Sequence, residues 1–113
     1  MTQLIGNDEL PNNGSVYQFE GYLYGEVDVS FFLSDTAPGK GPDLHRHPYE
    51  EVFVVQGGEL TFTVGDETIE ATGGQIVIAP AGAPHKFVNS GTGRARHIDI
   101  HTSQRMITEW LED

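Results

Sequence analysis

Apolar and polar positions alternate along most of this 113-residue chain, and the alternating runs are short. Leu60 to Val64 and Glu67 to Ala71 alternate with period two, as a strand with one buried face does. Gly65-Asp66 between them reads as a two-residue turn. Val52 to Gln56 is a continuous apolar run and predicts a buried strand. Val16 to Tyr24 and Val27 to Ser34 are rich in aromatic and β-branched residues, and Gly25-Glu26 between them predicts a tight hairpin. Ile76 to Ala79, Pro84 to Asn89 and Arg94 to His101 complete the set. Residues 1–15 are polar and turn-rich and predict a loosely packed lead-in. Residues 35–44, with Pro38, Gly39, Gly41 and Pro42, predict a loop. Short strands at near-regular spacing predict an all-β sandwich or barrel, one domain over residues 16–113. The end departs from this pattern. Ser103 stands where an N-cap would, and Met106, Ile107, Trp110 and Leu111 follow i, i+3/i+4 spacing. That spacing predicts a short C-terminal helix that closes one end of the barrel or packs on a partner chain.

Chemistry concentrates beside these strands. All five histidines lie at position 45 or later. His45, His47 and Glu51 share parity, so on extended chain they project from one face. A glycine-rich hairpin brings His85 back from a later strand. Three imidazoles and a carboxylate suit one divalent transition metal (Mn, Fe, Co, Ni, Cu or Zn) and leave two positions of an octahedron open. Tyr49 shares the ligands' parity across Pro48, whereas Glu50 has the opposite parity and should point away. Phe53, Val55 and Phe87 lie in register with the ligands, either as pocket wall or as core. Tyr49, Phe53, Phe87 and His101 are the candidate substrate contacts. Gly58, Gly74 and Gly82 suit turns with positive φ, and Asn89 a turn after its strand. In Arg96 to His101 the polar positions His97, Asp99 and His101 alternate with Ile98 and Ile100, and in an ordinary sandwich that polar face meets solvent.

Two segments carry a family resemblance. In the first, Gly39 is followed after five residues by His45, then His47, then Glu51 after three and Gly58 after six more. In the second, Gly74 is followed after five residues by Pro80, then Gly82, His85 after two and Asn89 after three. Every fixed position of both motifs of the cupin superfamily is present, and the chain resembles a small single-domain cupin. The resemblance implies a jelly-roll β-barrel with the metal inside. It also implies that the strand after the second motif lines the pocket. His97 and Asp99 then become candidates for hydrogen bonds to the ligands or for proton transfer to substrate. The family spans many activities, so fold does not decide function. The leading expectation is a metal-dependent, dioxygenase-like enzyme whose open positions take an enolate, catecholate or hydroxy-ketone. The alternatives are a metal-dependent isomerase or lyase and a non-catalytic module that binds a small molecule or sugar. The family is often homodimeric, and the aromatic hairpin with Tyr17, Phe19, Tyr22 and Tyr24 is a candidate interface.

Charge narrows the partners. Six basic against seventeen acidic residues give a net charge of −11, which opposes nucleic acid and anionic membranes. The absence of cysteine excludes disulfides. The N-terminus has neither a basic nor an apolar signal region, and no apolar run approaches a membrane span of ~20 residues. A cytoplasmic protein is expected.

Overall fold

The computed structural model describes residues 2–112. In chain order its strands are β1 (Val16–Glu20), β2 (Ser30–Thr36), β3 (His45–Arg46), β4 (Glu51–Gly57), β5 (Glu59–Val64), β6 (Glu67–Thr72), β7 (Ile76–Ala79), β8 (His85–Asn89), β9 (Ala95–His101) and β10 (Glu109–Trp110). They form two five-stranded sheets, ordered β1-β2-β9-β4-β7 and β10-β3-β8-β5-β6, with every pairing antiparallel. The fold is the expected all-β barrel of two facing sheets.

The core lies between the sheets toward one end. Phe53 and Val55 of β4 meet Leu60 and Phe62 of β5 there, each at most 1 % exposed. The Phe53 and Phe62 rings lie 4.8 Å apart. Burying each such side chain contributes roughly 1.5–3 kcal/mol. The other end of the inter-sheet space is polar, and the histidines collect there.

Three expectations are corrected. The hairpin at Gly25-Glu26 is not tight: β1 ends at Glu20 and a 3-10 turn covers Gly21–Tyr24. Gly25 and Glu26 follow with positive φ of 85° and 61°, and β2 begins only at Ser30. A Cβ on Gly21 would meet the Val27 carbonyl oxygen at 1.8 Å, so chain crossing, not strand pairing, decides this loop. The lead-in is not loose throughout. Leu10 is 6 % exposed, Asn12 bridges to Tyr17, and Asn13 Oδ1 accepts the Ser15 and Val16 N–H groups.

The C-terminal helix is absent. Residues 102–105 form bends, residues 106–108 are irregular, and β10 adds to β3 with Glu109 opposite Arg46 and Trp110 opposite His45. An eight-residue helix is marginal because nucleation is costly, and tertiary partners satisfy the backbone instead. Met106 N–H donates to Glu20 Oε2, Ile107 N–H to the Tyr49 hydroxyl and Leu111 N–H to the Leu44 carbonyl. The turn glycines behave as expected: Gly58, Gly74 and Gly82 take φ of 86°, 95° and 78°. Among the described residues no helix is long and apolar enough to cross a membrane.

Candidate metal centre

Three strands and a loop deliver the cluster. β3 carries His45, the turn after it His47, β4 opens with Glu51 and β8 with His85. His45 and His85 are direct cross-strand partners. All four side chains are buried, and one ligand atom from each lies within 4.8 Å of all the others.

The backbone fixes the imidazole tautomers. His45 Nδ1 contacts the Asp43 carbonyl at 2.7 Å, His47 Nδ1 that of Ile107 at 2.7 Å, and His85 Nδ1 that of Ala83 at 3.0 Å. A carbonyl only accepts, so each Nδ1 carries the proton and each Nε2 turns a lone pair inward. Glu51 Oε1 sits 3.0 Å from both His47 Nε2 and His85 Nε2. Three lone pairs and a carboxylate facing one another repel unless a proton or a cation lies among them. His47 Nε2 is buried without a hydrogen-bond partner. The donor set therefore fits a divalent transition metal.

Titration follows the same logic. Burial disfavours the charged form of Glu51, but the imidazoles of His101, His47 and His85 outweigh it and hold the carboxyl well below the usual carboxylate range. Burial, reinforced by the neighbouring imidazoles, pushes His45 down. Burial also opposes a charge on His85, yet contact with Glu51 wins and raises it.

His101 enters from β9, opposite Glu51 in the ladder. Its Nε2 lies 3.2 Å from Glu51 Oε2, and its Nδ1 lies 2.5 Å from the Tyr49 hydroxyl. That hydroxyl accepts the Ile107 N–H at 3.0 Å, so its own proton turns to His101 Nδ1 and leaves the ring proton on Nε2, which like His47 Nε2 is buried without a hydrogen-bond partner. One carboxylate oxygen thus faces the histidine cluster and the other faces His101. Burial raises the Tyr49 phenol to about 12, so it stays protonated.

A cavity of about 540 Å³ opens in front of the cluster. Val16, Phe32, Phe87 and Trp110 form apolar wall, while Ser34, Thr36, His97 and Asp99 are polar. The polar positions of β9 point inward: His97, Asp99 and His101 are each at most 4 % exposed. His97 Nδ1 lies 2.6 Å from Asp99 Oδ1, and its Nε2 lies 2.8 Å from Thr36 Oγ1. Burial raises the Asp99 carboxyl, while its hydrogen bond to His97 works against that rise.

The structure sorts the other candidates. Phe87 and His101 line the cavity. Phe53 and Val55 belong to the core, and Tyr49 stands behind the cluster, bonded to His101 rather than facing the cavity. Glu50 is exposed and points away, as its parity requires. Phe32, Ser34 and Thr36 are cavity residues that alternation did not single out, and Trp110 was expected on a helix face instead. The first three share the inward parity of β2, which cross-strand register against Asp99 and His97 reveals. Trp110 packs on His45 with ring centroids 5.0 Å apart.

Residues 32–101 match the family described as cupin domain. An uncharacterised protein of Streptomyces coelicolor is 34 % identical over 76 residues, covering 67 % of this chain and 69 % of that one. The HTH-type transcriptional regulator PuuR of Escherichia coli is 33 % identical over 57 residues, covering 50 % of this chain and 31 % of its own length. Among solved structures, the oxalate decarboxylase of Bacillus subtilis, studied for its Mn(II) centres, superposes with a TM-score of 0.78 at 20 % identity. It covers 85 % of this chain, which spans only 27 % of the decarboxylase.

Proposed function

Because the chain belongs to the cupin domain family, whose fold alone leaves the chemistry open, we propose from the site that it is a metal-dependent enzyme acting on a small organic molecule, dioxygenase-like in type. One observation carries this reading: the inward-facing ligand cluster and the buried His97–Asp99 pair open onto the same cavity. A pure binding site has no need of a buried, hydrogen-bonded His–Asp pair beside its ligand cluster.

His45, His47, Glu51 and His85 would hold the ion. Bound there, a divalent ion supplies Lewis acidity toward substrate oxygen atoms and, where redox-active, a path for electrons to O₂. Tyr49 positions His101, whose Nε2 faces the second oxygen of Glu51 at 3.2 Å, so the carboxylate offers its other oxygen to the cluster. The His97–Asp99 pair takes a proton from a substrate hydroxyl or returns it, and Thr36 fixes the ring through Nε2. Phe32, Phe87 and Trp110 receive the apolar body of the substrate and exclude water from one side. An enediol, catechol or hydroxy-ketone, with adjacent oxygen donors on a small carbon frame, fits this division. The setting is intracellular in this reading, with a cytoplasmic protein free of nucleic acid.

A second reading, a barrel that holds a small ligand without turnover, draws support from the match to a transcriptional regulator. The test starts with elemental analysis of protein purified without added metal or a histidine tag, beside the His85→Ala variant. About one equivalent of iron, manganese, nickel, cobalt, copper or zinc, lost in the variant, is expected. Oxygen uptake on enediol and phenolic substrates follows, and His97→Gln should keep the metal while losing most turnover. Metal at full occupancy with no uptake and no product from any of these substrates would overturn the enzymatic reading in favour of the second.

A further inference from the structure

The cavity has two ends of opposite character. The inner end holds the carboxyl groups of Glu51 and Asp99. At the outer end, where β2 and β8 finish and the turn before β9 begins, Lys40 and Arg94 border the opening. Only six residues of this chain are basic, against seventeen acidic, so two on one rim is a concentration. Asn89 sets the backbone beneath both. Its N–H donates to the Lys40 carbonyl, and its own carbonyl accepts the Gly39 N–H, each at 2.9 Å. Its buried side chain donates from Nδ2 to the carbonyls of Thr36 and Gly93, also at 2.9 Å, so the same residue holds the turn that leads into Arg94. The loop that carries Lys40 packs directly on β8, because a Cβ on Gly41 would meet the Phe87 carbonyl oxygen at 1.9 Å. Lys40 therefore projects from fixed backbone beside Asn89. Asn89 ends the strand that His85 begins, about 13 Å along it from the ligand cluster.

We infer that Lys40 selects substrates that carry a carboxylate at the end remote from the ligand cluster. This deepens the metal-dependent reading above and rests on it. The substrate class is then a small acid with adjacent oxygen donors at one end, an apolar middle between Phe32 and Phe87, and a carboxylate at the rim. The hydrogen-bond inventory of the rim favours an acceptor there. Arg94 donates from Nε to Asp35 Oδ1 at 2.9 Å and from Nη2 to the Asp35 carbonyl at 2.8 Å, so Asp35 largely neutralises it. Asn13 Oδ1 is taken by the Ser15 and Val16 N–H groups, which leaves its Nδ2 donors to face the opening. Among the described residues the Lys40 ammonium enters no ion pair, and it is exposed. Lys40 and Arg94 against Asp35 leave one net positive charge. One charge matches a carboxylate, whereas a phosphate monoester brings about −1.5 to −2 and would remain partly unpaired. Lysine also suits the task, because its compact charge on a flexible stem follows a terminal carboxylate on arms of different length.

Isothermal titration of the metal-loaded protein under nitrogen tests this without turnover. The probes are dihydrocaffeate and its methyl ester, which share a catechol and differ by one charge. Wild type should bind the acid at least about threefold more tightly than the ester, the scale of an exposed charge pair, and added chloride should shrink that preference. Lys40→Gln should abolish the preference by weakening the acid alone, Lys40→Glu should reverse it, and Lys40→Arg should retain it. The side chain is exposed and outside any ion pair, so all three variants should keep the wild-type melting temperature. Equal affinity for acid and ester in wild type, or a preference that survives in Lys40→Gln, would overturn the assignment of Lys40 and leave the metal-dependent reading standing. Failure of both probes to bind protein that holds its metal would overturn that reading of the cavity and this inference with it.

Discussion

Glu51 presents Oε1 to His47 and His85 and Oε2 to His101, so Glu51→Gln removes the charge that three imidazoles face. The consequence for stability in the metal-free protein depends on pH with a definite sign. The Glu51 carboxyl lies below its ordinary 4.5, so its stabilisation is complete above that pH and fades as pH falls toward the folded value. The His85 imidazole lies above its ordinary 6.5, so its stabilisation is complete below that pH and fades as pH rises past the folded value. Both act together between about pH 4.5 and 6.5. With chelator present, the melting temperature of wild type over Glu51→Gln should exceed it most within that window and by less on either side; a gap growing steadily with pH would contradict the pairing. With metal present, His47→Ala should drop the bound ion from about one equivalent to a small fraction and bring the melting temperature near that of metal-free protein. Unchanged stoichiometry would remove His47 from the ligand set. Parity made His45, His47 and Glu51 legible in the sequence, because period-two geometry holds wherever the chain is extended. It left Phe53 open between pocket wall and core, since parity gives the face but not the depth: two residues beyond Glu51 the same face already lies in the core. Phe32 was illegible for a different reason. Ser30 to Ser34 reads Ser-Phe-Phe-Leu-Ser, apolar on both faces, so alternation carries no contrast there.

At the level of elements, the segment after β9 is the part that sequence periodicity misassigned. Met106, Ile107, Trp110 and Leu111 do carry helical spacing, but a short helix with few tertiary partners loses to a strand that satisfies its backbone on β3. The spacing of apolar residues is intrinsic, whereas the open edge of β3 becomes available only once the barrel has formed. This tail acts as a strap over the histidine cluster. Its Ile107 carbonyl accepts from His47 Nδ1, its Ile107 N–H holds the Tyr49 hydroxyl, and Trp110 covers His45. Outer partners of ligating histidines are typically worth about 10–100-fold in metal affinity. A chain ending at Met106, which keeps every ligand, should therefore bind the ion at least about tenfold more weakly while its far-UV circular dichroism stays that of a β-barrel. Isothermal titration with a weakly buffered ion reads this, and full affinity in the truncated chain would reduce the strap to a passive tail. Glu109→Ala is the companion measurement. The Arg46–Glu109 pair is 2.9 Å long but roughly half exposed on both sides, and exposed pairs contribute little. Metal affinity and melting temperature should both be unchanged within error.

The molecule as a whole carries −11 on a body of 42 × 29 × 27 Å, and three of its six basic residues are already committed to Glu109, Glu112 and Asp35. At about 10 mM salt the screening length is ~30 Å, longer than two of these dimensions, so acidic groups on opposite sides of the barrel still repel one another. At about 150 mM it shrinks to ~8 Å, which confines each charge to its neighbours. Self-repulsion of this kind destabilises the compact state, and its relief should outweigh the weakening of three exposed ion pairs, each worth little to begin with. Between these two salt concentrations the melting temperature should rise by a few degrees, the scale that ~1 kcal/mol produces in a domain of this size. Sodium or potassium chloride is the proper titrant, because sulfate also strengthens apolar burial and would raise the melting temperature by a separate route. A melting temperature that falls with added chloride would place the balance with the surface ion pairs, and the acidity would then count as no burden on folding.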